Sequence, residues 1–194
     1  MMRPARKEDQ HMVVLLIHAA IDDLVNTFTG AWDMKKALSH MATLFNTPKT
    51  RFSKEYCTIV EREDVAVGSI IAYPAEEMPL LNDGVVKLLR QTFEGPADEL
   101  QLLEYQILNS KEAFVGEYYI DNLAVMPAFR GQGVGKELIQ HAETQGKAAG
   151  YNKISILADQ SNEKAYKIYE KSGYVHDCDL EVLGHTYRHM VKEI

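Results

Sequence analysis

The 194-residue chain is 46% apolar and 25% charged, and 21 basic against 28 acidic side chains leave a formal net charge of −7. At roughly 150 residues per domain this reads as one domain, long enough to bury a core without disulfide or metal staples. The acidic balance argues against a general nucleic-acid binder, which needs clustered Lys and Arg, so any phosphate site must be local.

The start imitates a signal peptide, with Arg3, Arg6 and Lys7 ahead of the apolar run Val13 to Ile17. Glu8 and Asp9 interrupt the basic region, however, and Ile17, Ile21, Leu24, Val25 and Phe28 continue a helical stripe. A core helix over about 7–28 is predicted, in a cytoplasmic protein without membrane contact. A second helix, 34–45, ends at Thr47-Pro48. The runs 56–60 and 66–73 are rich in β-branched and aromatic residues and form a hairpin across the polar stretch 61–64.

Residues 75–110 turn helical on both sides of Gly95-Pro96, predicting a two-helix insertion over about 75–113. A strand over 118–125, a glycine-bounded helix over 131–150, a strand over 153–158 and a short helix over 162–172 follow. The tail, 181–191, has enough β-formers for one or two strands. Cys57 and Cys178 have neither Cys-x-x-Cys spacing nor a sequence-local activator, which predicts no disulfide, no zinc site and no acyl-enzyme. His185 and His189 would stand about 13 Å apart along a strand, too far for one metal, and no metal is expected.

The informative stretch runs from Tyr119 to Lys136, a strand entering a helix through a glycine-rich turn. Amides at a helix N-terminus lack intrahelical acceptors and sit at the positive end of the macrodipole, which suits a pyrophosphate. A Walker loop would need glycine at Arg130 and Ser or Thr at Glu137, and a dinucleotide fingerprint would need glycine at Lys136. Neither fits. The pattern Arg-x-x-Gly-x-Gly, here Arg130, Gly133 and Gly135 after Leu123-Ala124-Val125 and Pro127, resembles the GNAT superfamily of acetyl-CoA-dependent N-acetyltransferases. A second signature, Asn162, Ala165, Tyr169 and Gly173-Tyr174, supports the match, and Met2 to Ala5 with Glu8-Asp9 resembles the family's opening.

The resemblance implies an α/β fold with a mixed, mostly antiparallel sheet flanked by helices, over a single domain spanning 1–194. It places the backbone of Leu123, Ala124 and Val125 beside the pantetheine arm of acetyl-CoA. The amides of Arg130, Gly131, Gln132, Gly133, Val134, Gly135 and Lys136 would cradle the diphosphate, and Asn162 would bond the pantetheine. Tyr169 matches the family's general acid, and a phenol with an ordinary pKa of about 10 can protonate a departing thiolate. Asp121 stands where some members carry a glutamate. At about 4 its ordinary pKa is low for a base, so it would orient the amine or pass its proton through water. Glu117 shares its strand face by alternation, and Leu157 fills another position from which some members draw a base.

The expected activity is direct acetyl transfer from acetyl-CoA to a primary amine of a small molecule, peptide or protein, in a ternary complex. A non-catalytic acetyl-CoA-binding regulatory module is the alternative, and Leu88, Leu89, Leu100 and Leu103 could instead line a docking groove. The oligomeric state, a homodimer included, stays open. Five of the seven excess negative charges fall in 75–110, whereas acids and bases balance over 114–174. That asymmetry points to a cationic acceptor.

Overall fold

In the computed structural model, which describes every residue from Met1 to Ile194, seven strand-forming segments build one sheet. They are β1 (Met2–Pro4), β2 (Cys57–Arg62), β3 (Val65–Pro74), β4 (Glu117–Val125), β5 (Lys153–Asp159), β6 (Val175–Val182) and β7 (His185–Glu193). The order across the sheet is β1-β2-β3-β4-β5-β7-β6, and only β4 and β5 run parallel. A parallel neighbour needs a crossover, which α6 (Val134–Ala148) provides. The tail is a full hairpin: Leu183 and Gly184 turn it with positive φ.

Helices α1 (Gln10–Ile21), α2 (Leu24–Thr29), α3 (Met34–Asn46), α4 (Met78–Thr92) and α5 (Ala97–Leu108) pack on one face with Ile59, Ile71, Tyr73 and Tyr119. Helices α6 and α7 (Glu163–Lys171) cover the other with Ile70, Ala72, Ile120, Ile156 and Met190. The alternation of buried side chains along β3 and β4 feeds both layers, so neither face is left to solvent. No helix is long and apolar enough to cross a membrane.

Three expectations need correction. The helix expected over 7–28 is broken at Asp22, whose φ of +47° and ψ of −119° lie outside the helical region. Its stripe survives the break, because Ile17, Leu24, Val25 and Phe28 are all buried. The helix expected from 131 begins at Val134, since Gly131 and Gly133 hold φ of +76° and +85° and form a turn. The leucines of the insertion line no groove: Leu89 and Leu103 are buried, and Leu88 and Leu100 pack partly buried against the same core. The insertion also presses on the loop after α3, where a Cβ on Gly84 would lie 2.1 Å from the Lys49 carbonyl oxygen. That close approach fixes the segment carrying Arg51.

Candidate active site

The sheet opens at its centre. Strand β4 pairs with β5 only from Glu117 to Ile120, opposite Lys153 to Ile156. Beyond that point β4 stays on β3 as far as Val125, and β5 stays on β7 as far as Asp159, but the two no longer pair with each other. The cause is local. Ala72 faces Ile120 while Ile71 faces Asn122, so Asp121 is an extra residue in β4, and such a bulge bends and twists its strand. The β5-facing edge of residues 121–125, including Leu123, Ala124 and Val125, is therefore without a strand partner.

Strand β4 leads directly into the glycine turn. Glu137 donates the first backbone bond of α6, to the Gly133 carbonyl, and the amides of residues 131–136 donate to no backbone carbonyl, whereas the Arg130 amide, expected among them, closes the preceding turn on the Pro127 carbonyl at 3.3 Å. Gly131, Gln132 and Gly133 are exposed, and nothing lies within 4 Å of a Cβ placed on either glycine. Glycine is required here by its positive φ rather than by crowding. Arg130 Nε donates to the Val125 carbonyl at 3.0 Å, tying the turn to the open strand edge, and Lys136 is exposed on the first turn of α6. Gly68 lets α6 approach the sheet, since a Cβ there would meet Val134 Cγ1 at 2.9 Å.

Tyr169 lies in the α6–α7 core layer with Val134, Ile120 and Ala158. Burial pushes its phenol up to about 12, so it stays protonated throughout the physiological range. Its hydroxyl makes no hydrogen bond within the protein, in contrast to Tyr73 and Tyr119. Asn162 is the exposed N-cap of α7, its Oδ1 accepting from the Ala165 amide at 3.0 Å, and its amide nitrogen makes no bond.

Asp121 points to the opposite face, into a charge cluster that sequence reasoning missed. Arg51, only 2% exposed, donates through Nε and Nη2 to both Asp121 oxygens at 3.0 and 2.6 Å. Through Nη1 and Nη2 it reaches both Glu112 oxygens at 2.7 and 2.6 Å, and Nη1 also meets Asn82 Oδ1 at 3.4 Å. A guanidinium has five N–H groups, and all are spent. Tyr73 donates to Asp121, Tyr119 and Ser110 donate to Glu112, and the Phe28 ring lies 4.8 Å from the Arg51 carbon. Burial pushes Asp121 up, with Arg51 pulling the other way. Burial would also raise Glu112, but there Arg51 prevails and holds it below the usual carboxylate range. With two acids on one cation, Asp121 is the member that takes a proton first. Glu117 shares this face, as expected, but bonds His189 and the Phe114 amide.

Arg51 was hidden because its partners lie 31 to 70 residues away. In the sequence it is one more basic residue in a polar loop. The only local hint was Phe52, beside it in the chain.

A sheet opened at a bulge, followed by amide donors without acceptors at a helix start, defines a class of acyl-transfer fold. A family model for the GNAT acetyltransferases matches residues 17–174, and the chain belongs to that family. Among solved structures, an N-acetyltransferase from Staphylococcus aureus Mu50 is similar at 24% identity and TM-score 0.79, covering 99% of this chain and 100% of the other. A structure described as an acetyltransferase aligns at 22% identity and TM-score 0.78, over 100% and 99% of the two chains. The PaiA N-acetyltransferase from Thermoplasma acidophilum, in complex with coenzyme A, aligns at 12% identity and TM-score 0.55, over 100% and 98%.

Proposed function

We propose that the whole chain acts as one acetyl-CoA-dependent N-acetyltransferase domain, moving acetyl directly to a primary amine in a ternary complex. The observation that carries this reading is the run from the edge of residues 121–125, which has no strand partner and whose Val125 carbonyl takes Arg130, to the free amides of residues 131–136. An extended arm with a diphosphate at one end matches that run: the strand edge takes the pantetheine amides, and the turn takes the anion. Arg130 and Lys136 add positive charge, and Asn162, with its amide nitrogen free, bonds the pantetheine from α7.

Opening β4 from β5 gives access between the two faces of the sheet. Acetyl-CoA held there presents its sulfur to Tyr169 on one face and its carbonyl carbon to an amine arriving from the other. The neutral amine nitrogen bonds to the carbonyl carbon, the carbon–sulfur bond breaks, and Tyr169 gives its proton to sulfur. The surplus amine proton returns to the phenolate through water. A phenol raised by burial is still a competent donor, because burial raises a thiol in the same way, as it does Cys57. Holding the reactants in near-attack geometry can contribute about 7 kcal/mol or more.

Asp121 serves as a positioning residue that fixes the bulge through Arg51, with a lone pair on Oδ1 left to orient the amine. A cationic acceptor suits the acidic insertion: Glu94 and Glu104 pair with Lys36 and Arg90, but Glu76, Glu77 and Glu99 bond only neutral donors and have no basic partner. The test is thiol release from acetyl-CoA across a panel of cationic, neutral and anionic amines, with thermal shift by acetyl-CoA in parallel. Release confined to cationic amines and weakened by salt is expected. Stabilisation without release on any amine would make the chain a binding module.

A further inference from the structure

The β6–β7 hairpin assembles a second group of reactive side chains, away from the glycine turn. Its register sets Cys178 opposite His189, and a bulge between His176 and Cys178 adds Asp177. His189 is fully buried. Its Nε2 lies 3.0 Å from Glu117 Oε2 on β4, and its Nδ1 lies 3.2 Å from Asp177 Oδ2. A neutral imidazole carries one N–H and can satisfy one carboxylate, leaving lone pair against lone pair at its other nitrogen. A cation held on that side would satisfy both. No lysine or arginine bonds Asp177 or Glu117, and the Cys178 sulfur completes a set of ligand atoms within 4.8 Å of one another.

We propose that Asp177, Cys178 Sγ and His189 Nδ1 bind a divalent d-block ion of the zinc class. Imidazole, thiolate and carboxylate together suit such an ion, whereas magnesium and calcium take oxygen ligands. Bonds of about 2.0–2.3 Å place tetrahedral ligand atoms roughly 3.3–3.7 Å apart; the Asp177–His189 pair, at 3.2 Å, lies just below that spacing, and all three ligand atoms lie within 4.8 Å of one another. Glu117 accepts from Nε2 and so aims the Nδ1 lone pair at the ion, as an outer carboxylate does for a metal-bound histidine. Binding releases the Cys178 proton to solvent. Asp177 is half exposed on the edge strand, which gives the ion its path in and leaves water as the fourth ligand. The bound ion would clasp edge strand β6 to β7 and, through Glu117, to β4. Residue spacing alone hides the set, since Asp177 and Cys178 meet His189 only across the hairpin.

The test titrates chelator-treated full-length protein with Co²⁺. One equivalent should bind with a thiolate-to-cobalt charge-transfer absorption, and Zn²⁺ should displace it and raise Tm. Cys178→Ser, at a partly exposed position, should keep the far-UV spectrum and lose the absorption. Glu117→Gln should weaken Co²⁺ by about 10- to 100-fold. Folded protein with no such absorption would overturn the proposal. So would an absorption that persists in Cys178→Ser, because Cys57 is the only other thiol and is buried.

Discussion

Two regions of this protein are built to meet negative charge, and they do so in opposite ways. Around Arg51 every donor is spent on Glu112, Asp121 and Asn82 in a buried cluster. In the turn over residues 131–136 the donors are backbone amides that bond no backbone carbonyl, with Gly131, Gln132, Gly133 and Lys136 exposed. A fully committed cluster fixes a fold, because removing one member strands a buried charge. An uncommitted one is available to a ligand, because its groups lose only water when an anion arrives. Asp121 is the hinge between them: the extra residue that opens the sheet beside the turn is also the one that Arg51 holds.

The contrast can be broken most forcefully at Arg51. Arg51→Met leaves two carboxylates buried without a cation and should cost about 3–5 kcal/mol in chemical denaturation. Adding Glu112→Gln and Asp121→Asn to it should recover much of that loss. Tyr169→Phe should lower turnover about 100-fold, the range of general-acid catalysis, with little change in acetyl-CoA affinity or Tm. Unchanged turnover would remove Tyr169 from the reaction.

Gly133→Ala, at a φ of +85°, should cost about 1–2 kcal/mol of strain if the turn holds. It should also weaken acetyl-CoA binding about tenfold as the amides re-aim, which calorimetry would read. Equal affinity would place the diphosphate elsewhere. Asn162→Ala should cost about 1 kcal/mol as a lost helix cap. A rise in the acetyl-CoA KM beyond that would separate its binding role from its capping role.

The committed cluster also leaves a mark in pH dependence. Burial would raise Glu112 and, outside the cluster, Glu117, but Arg51 for the first and bonds from His189 and the Phe114 amide for the second hold them below the usual range, so their contribution is complete above about 4.3 and is lost as pH falls toward their folded values. Asp121 is raised and works in the opposite sense, softening that loss. Urea midpoints between pH 3 and 7 in Glu112→Gln should show a shallower acid decline than the parent.

The same contrast explains how much of the molecule could be read from its residues. The turn was readable because its chemistry is local: positive φ demands glycine at 131 and 133, and those residues stand together in the chain. The strand around Ile70 declared itself by its run of β-branched and aromatic residues, whereas the cap at Asn162 emerged only in the structure. The Arg51 cluster did not, since Arg51, Asn82, Glu112 and Asp121 come from separate segments and each alone resembles a surface residue. The break at Asp22 was masked for a different reason, as the apolar stripe from Ile17 to Phe28 crosses it without interruption. The hairpin site fell between these cases, with adjacent Asp177 and Cys178 visible but His189 supplied only by strand register.

The central claim is that the amides of residues 131–136 are free because acetyl-CoA takes them. Titration of ¹⁵N-labelled protein with coenzyme A, followed by amide resonances, tests it directly. Gly131, Gln132, Gly133, Val134, Gly135 and Lys136 should shift most, downfield as they donate to the diphosphate, with Leu123 and Val125 next and the segment around Arg51 nearly still. Saturable binding that leaves those six amides unmoved would contradict the account.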